Sequence, residues 1–257
     1  MTLAGILQIL IYFAILLVLT KPMGSFMARV FQGERTFLHP ILRPVERLLY
    51  KLCGVDESAE QKWTAYAGSL LAFSLWSLIF VYLIQRLQGL LPLNPMGFST
   101  AAAPANATAM TPDLAFNTAA SFMTNTNWQA YSGESTMSYF TQMVALAVQN
   151  FASAAAGVAV AVALIRGFAR REANAVGNFF VDLIRCTLYI FIPLALVMAL
   201  FFVSQGVIQN FSSYTQVTTL EGGQANDCTR SVCLAGSHQN GRHERRRTVQ
   251  RQLGAPL

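Results

Sequence analysis

The sequence predicts an all-α integral membrane protein with about four transmembrane helices, one re-entrant pore helix and a polar filter loop. Three observations carry that prediction. Of 257 residues, 54% are hydrophobic and only 12% charged, about half the charged share of a typical soluble domain. Four apolar runs approach or exceed the roughly 20 residues that a spanning helix needs: Leu3 to Thr20, Ala65 to Ile84, Met137 to Ile165 and Val181 to Ser204. Between the second and third, a short apolar segment breaks into the neutral amides and hydroxyls of "TNTNWQAYSGE", residues 124 to 134.

The first run is N-terminal and apolar, as a signal peptide is. However, no basic residue precedes it, and "TKPMGS" follows in place of a small-residue cleavage site, so it reads as a retained helix. The placement of Lys and Arg then sets the topology. None occurs in residues 1 to 20, seven lie from Lys21 to Lys62, and Arg86 stands at a helix end. Residues 87 to 165 hold none, four fall from Arg166 to Arg185, and none follows before Arg230. This alternation puts the N-terminus outside, 21 to 62 inside, 87 to 135 outside, 166 to 180 inside and 205 onward outside. The net charge of +6 says little about the membrane part, because residues 225 to 257 supply +4 of it, six Arg against Asp227 and Glu244.

On the inner side, "HPILRPVERLLYKLCGV" carries Ile41, Leu42, Val45, Leu48, Leu49 and Leu52 with Arg43, Glu46, Arg47 and Lys51 between them. That is the spacing of an amphipathic helix. It either lies on the inner membrane surface with its cations toward headgroups, or is an ordinary juxtamembrane loop helix. The residues allow both. After the second span, "LPLNPMGFSTAAAPANATAMTP" reads as an irregular outer loop. Its Asn106-Ala-Thr108 matches a glycosylation sequon, a pattern too short to carry weight.

From Pro112 the character changes. Pro and Asp mark a helix start, and Leu114, Phe116, Ala119, Ala120, Phe122 and Met123 follow. About eleven such residues are too few to span a bilayer. Irregular backbone at membrane depth survives only where it is buried in protein or lines a watery cavity. The short helix, the polar stretch and the long span from Ser138 therefore fit a hairpin dipping in from outside. A desolvated monovalent cation needs several oxygens of moderate field strength, from backbone carbonyls and neutral side chains, that do not hold it too tightly to leave. Thr124, Asn125, Thr126 and Asn127 suit that task. A divalent site would recruit carboxylates, and Asp113 and Glu134 only flank the stretch, as in an outer vestibule. The competing reading is a polar external loop packed on helix ends.

Other chemistry finds little support. Cys53 and Cys186 do not form a disulfide framework, Cys228 and Cys233 lie in the tail, and no His and Cys spacing resembles a metal site. No catalytic residue is assigned. The spans hold no His, and Asp182 stands alone at a helix end, which sets aside an intramembrane enzyme.

"FNTAASFMTNTNWQAYSGE", "MSYFTQMVALAVQNFASAAAGVAVAVALIRGFAR" and "VDLIRCTLYIFIPLALVMALFF", with the earlier "LPLNP" and "WTAYAGSLLAFS", resemble the potassium-binding channel subunit of the bacterial Kdp potassium-transporting ATPase. The resemblance runs from the first helix to about Gly223. It implies the first channel-like repeat of a four-repeat fold, each repeat giving one filter strand, with residues 124 to 127 as the first strand and Gln129 just beyond. It implies K+ as the bound ion and a multi-pass place in the bacterial plasma (inner) membrane. It also implies a catalytic ATPase subunit that uses ATP, and small accessory subunits. The absence of an aspartyl-phosphorylation motif and a Walker loop agrees with energy supplied by a partner.

Residues 1–223 are thus expected to form the membrane domain and 224–257 a basic, disordered tail. An outside location leaves that tail without a nucleic-acid partner. With suitable synonymous codons, Gly236 to Pro256 read one nucleotide later gives "EAIKMAGTNGGGPFNANSAH", similar to the family's second filter segment. Ala225 to Ala235 gives "QTIALGPSVSQ" in the same way. The tail is therefore expected to be an out-of-frame product, and one quarter of a filter is not expected to conduct alone. The alternative function is a non-conducting assembly or regulatory fragment that docks on partner subunits, for which the small residues of "NFASAAAGVAVAVA" permit close helix packing.

Overall fold

The computed structural model describes residues 3–98, 110–169, 175–206 and 211, and the backbone of 215–218 and 224–227; the side chains of residues 134 and 135 fall outside that description. Four helices are long and apolar enough to cross a membrane: α1 (Leu3–Gln32), α3 (Trp63–Arg86), α5 (Thr141–Ala169) and α6 (Phe179–Ser204). Among the described residues, the shorter helices α2 (His39–Cys53) and α4 (Pro112–Met123) lie between them, with single helical turns at Gln88–Leu90 and Gly133–Thr136. The protein is a multi-pass membrane protein.

The first span continues well past Thr20. Pro22 sits inside α1 without ending it, as proline is tolerated within membrane helices. Beyond it Phe26 and Val30 face a packed cluster with α2 and α6. The helix stops at Gly33, whose φ of 75° lies in the left-handed region that glycine enters without strain. In α5 the turns Thr141–Ala147, and in α6 the turns Cys186–Phe191, are wound as π-helix, whose hydrogen bonds span one residue more than those of the α-helix.

The chain divides into two compact units, residues 1–66 with 155–194 and residues 67–154 with 195–257. In the first, buried Val30, Leu188 and Tyr189 pack with Phe26, Leu38, Leu42, Leu49 and Ile184. Two ionic clusters lie beside them. Asp182 corrects the expectation of a solitary carboxylate: Arg166 Nη1 donates to its Oδ2 at 2.6 Å and Nη2 to its Oδ1 at 2.9 Å. The same guanidinium reaches the carbonyls of Phe31 and Val176, and the Tyr66 hydroxyl lies 3.2 Å from Asp182 Oδ2. Gly177, at φ 105°, leaves room for Arg166, which a side chain there would strike. Glu46, buried on α2, accepts from Tyr50, Tyr189, Arg185 and Arg43.

In the second unit, Ala115, Ala119 and Phe122 of α4 pack with Val81, Met110, Met137, Ala145 and Leu146. Strands β1 (Thr215–Thr218) and β2 (Gln224–Asp227) pair antiparallel, with Val217 opposite Ala225. Among the described residues this two-stranded ribbon is the one sheet, and its pairing crosses the boundary drawn at Gly223. The sequon at Asn106, Cys228, Cys233 and the tail beyond residue 227 lie outside the described residues.

Candidate functional site

α4 begins where the sequence marks it. Thr111 is extended, Pro112 opens the helix and Asp113 stands in the first turn, where a carboxylate complements the amide end of the helix dipole. The Thr111 hydroxyl donates to Asp113 and holds its carboxyl below the usual range. The buried positions Ala115, Thr118, Ala119 and Phe122 recur at three and four residues, so one face of α4 is committed to the protein.

Past Met123 the chain folds back on its own helix. The amide of Thr124 donates to Ala120, that of Asn125 to Phe122, and those of Thr126 and Asn127 both to the Ser121 carbonyl at 2.9 and 3.2 Å. Asn125 and Asn127 have φ of 58° and 57°, a region that asparagine tolerates better than most residues, while Thr124 has φ −85°. Left-handed residues alternating with ordinary ones turn successive amides to one side of the strand and carbonyls to the other. All four amides are used on the α4 side. Among the described residues, no hydrogen bond ends on the carbonyls of Thr124, Asn125, Thr126 or Asn127.

Side chains brace this arrangement. The hydroxyls of Thr124 and Thr126 lie 2.9 Å apart, and Thr124 Oγ1 also donates toward Ala120 and Ser121. Ser121 Oγ donates to the Trp128 carbonyl at 3.1 Å. Ser153 of α5 contacts Asn125. Thr124, Asn125, Thr126 and Gln129 are exposed, whereas Asn127 is half-buried with its Oδ1 unpartnered.

The descending limb is held by glutamines. Gln88 donates to the Thr136 carbonyl and accepts from the Ser138 amide. Gln142 donates to the carbonyls of Gly133 and Met137. Gln85 ties α3 to the Ala115 carbonyl of α4 at 3.3 Å. Lipid gives helices no hydrophobic drive to associate, so such bonds and close packing carry the assembly.

The structure thus brings Thr124 to Asn127 together on one turn, leaves Gln129 just beyond it, and puts Asp113 at the far end of α4, about 15 Å from Met123 along the helix axis at 1.5 Å per residue. The Glu134 side chain lies outside the described residues. Ser121, Ser153 and the three glutamines are the residues that sequence reasoning missed. A serine inside an apolar helix needs a partner, and that need was the available signal at Ser121. Among the described residues, no group of three or more His, Cys, Asp or Glu could hold a metal.

The family described as "Potassium-transporting ATPase A subunit" matches residues 10–234. The chain is 66% identical over 222 residues to the potassium-transporting ATPase potassium-binding subunit of Solibacter usitatus (strain Ellin6076), covering 86% of this chain and 38% of that protein. It is 56% identical over 222 residues to the subunit of that name from Brucella anthropi, with 86% and 38% covered. For the one from Ralstonia nicotianae the identity is 57% over 217 residues, with 84% and 35% covered. The chain spans a little over a third of the length of these curated relatives.

Proposed function

Because the chain belongs to the potassium-transporting ATPase A subunit family, we propose that it forms part of the potassium-binding and translocating subunit of an ATP-driven potassium uptake complex. The observation that supports this most directly is the division of labour in the 124–127 strand, where the amides are consumed and the carbonyls left free. Neutral carbonyls in a row replace the water of a monovalent cation and still release it. In this reading Thr124, Asn125, Thr126 and Asn127 supply the ion-facing oxygens. Gln129 follows them, and Asp113 and Glu134 stand in the outer vestibule, where carboxylates raise the local cation concentration.

The other sides of the filter come from further repeats of the subunit. ATP is hydrolysed by a partner catalytic subunit, with small accessory subunits in the complex. The complex sits in the bacterial plasma membrane with the N-terminus of this chain outside, following the Lys and Arg distribution.

A second reading, a non-conducting assembly or regulatory piece that docks on partner subunits, is favoured by the exposure of Thr124 to Thr126, since one strand alone cannot surround an ion. Potassium-limited growth and uptake separate the two. The full-length subunit is expected to rescue growth, and its Asn125→Ala and Thr126→Ala forms to weaken apparent potassium affinity about tenfold, equivalent to about 1.4 kcal/mol. Unchanged uptake and ion preference in both variants would remove the filter reading. Co-purification of this chain with partner subunits, without any uptake phenotype, would favour the second.

A further inference from the structure

Helix α2 packs Leu42 and Leu49 into the protein together with charged groups, and leaves a second aliphatic stripe uncovered. Its protein-facing side carries Glu46, 1% exposed, and Tyr50, with Arg43 beside them, while Ile41 and Leu52, each 72% exposed, and Val45 and Leu48 face away. These four aliphatic residues are spaced by four, three and four positions, a narrow stripe on one helix face. Arg47 and Lys51, one turn apart, are exposed along one flank of the stripe. Arg43 and Arg185 are committed to Glu46 and Glu57, whereas Arg47 and Lys51 make no ion pair among the described residues.

We propose that this face is a lipid-binding surface: the stripe Ile41, Val45, Leu48 and Leu52 is seated at the acyl boundary of the leaflet on the Lys- and Arg-rich side, and Arg47 and Lys51 pair with the phosphates of anionic phospholipids. Depth supports the lipid as occupant. α2 packs against Phe26 and Val30 near the end of α1 and against Ile184, Leu188 and Tyr189 near the start of α6, so it lies where two spans leave the bilayer. Exposed Phe37, just before α2, and exposed Trp63, the first residue of α3, are aromatic residues of the kind that gather at that level. The stripe itself offers no hydrogen-bonding group, whereas the centre of a protein interface is enriched in aromatic residues, Met and Arg and depleted of Lys. Two uncommitted cations beside an aliphatic face match an anionic lipid surface.

The test places a nitroxide label at Ile41→Cys, Leu48→Cys or Leu52→Cys, with Cys53, Cys228 and Cys233 replaced by Ser, in the chain reconstituted into vesicles. Collision with oxygen is compared with collision with an aqueous nickel chelate, in phosphatidylcholine alone and with phosphatidylglycerol at roughly one lipid in three. All three labels are expected to favour oxygen and to sit deeper with phosphatidylglycerol. Arg47→Gln with Lys51→Gln is expected to erase the difference in depth between the two lipid compositions. Circular dichroism of each variant checks that the helices remain. Labels open to the chelate in both vesicle types would overturn the proposal, as would protection that appears only on adding partner subunits, which would make the occupant a protein. Equal depth in both lipids would overturn the pairing of Arg47 and Lys51 with anionic headgroups.

Discussion

Ser153 Oγ lies 3.3 Å from Asn125 Oδ1, joining the loop after α4 to the middle of α5. The hydroxyl has one hydrogen, and Gln149 O at 2.7 Å receives it. The contact is complete when the Asn125 amide is turned by half, so that its nitrogen donates to Ser153 and Ser153 donates to Gln149. Ser153 is then a positioning residue for the loop. Ser153→Ala in the full-length subunit is expected to lose about 1 kcal/mol, read as a several-fold rise in the potassium concentration for half-maximal uptake with maximal rate preserved. Ser153→Thr should restore it. An alanine variant with wild-type affinity would leave Ser153 a packing residue.

The left-handed backbone at Asn127 makes a separate prediction. Asn127→Gly keeps that conformation available and is expected to leave ion affinity within about threefold. Asn127→Val forces a branched side chain into it at about 1–2 kcal/mol, and affinity should fall about tenfold. Equal behaviour of the two variants would show that backbone shape at this position does not govern binding.

Glu46 links stability to acidity. Burial alone would raise its carboxyl, but hydrogen bonds from Tyr50, Arg185, Tyr189 and Arg43 outweigh that and hold it at about 2, below the ordinary 4.5. A folded-state value below the unfolded one gives stability that is fully present above about pH 4.5 and lost as the pH falls toward 2. Thermal unfolding in detergent should show a loss of Tm across that window, and Glu46→Gln should flatten it while lowering Tm at neutral pH.

The Arg166 and Asp182 pair should behave as a buried charge pair does. Asp182→Asn leaves the guanidinium uncompensated and is expected to cost about 3–5 kcal/mol. Arg166→Met with Asp182→Leu removes both charges, and should recover part of that loss in Tm. A double variant no better than the single would mean that the ties to Phe31 and Val176 matter more than the charges.

The tail gives a prediction at the level of the gene. Nucleotide sequence across codons 221 to 226 is expected to show that a one-base shift opens a frame running into a second "GTNGGG"-type segment. A shifted frame that closes early would end the out-of-frame account.

Much of this was legible because the bilayer leaves few options. Four apolar runs became four long helices, and α4 falls where Pro112, Asp113 and its apolar periodicity put it. The polar run after Met123 announced irregular backbone that had to be supported. What was hidden depends on partners distant in sequence. The first apolar run ends at Thr20 in the sequence, yet α1 continues through Pro22 to Gln32, since proline is tolerated inside membrane helices. The π-turns leave no mark in composition, since a wider helix uses the same residues. Arg166 and Asp182 are sixteen positions apart and show no shared periodicity, so Asp182 read as solitary. Ser153 is one small residue among many in an alanine-rich span.

The amides of residues 124 to 127 close on carbonyls no more than six positions upstream. Most of what shapes the strand is therefore contained in a segment shorter than twenty residues. The turn and α4 thus make one local unit, which the later residues Met137, Ala145, Leu146 and Ser153 close around. A graft of residues 112–128 would therefore carry the backbone bonds of the turn with it, but not the packing that seats it.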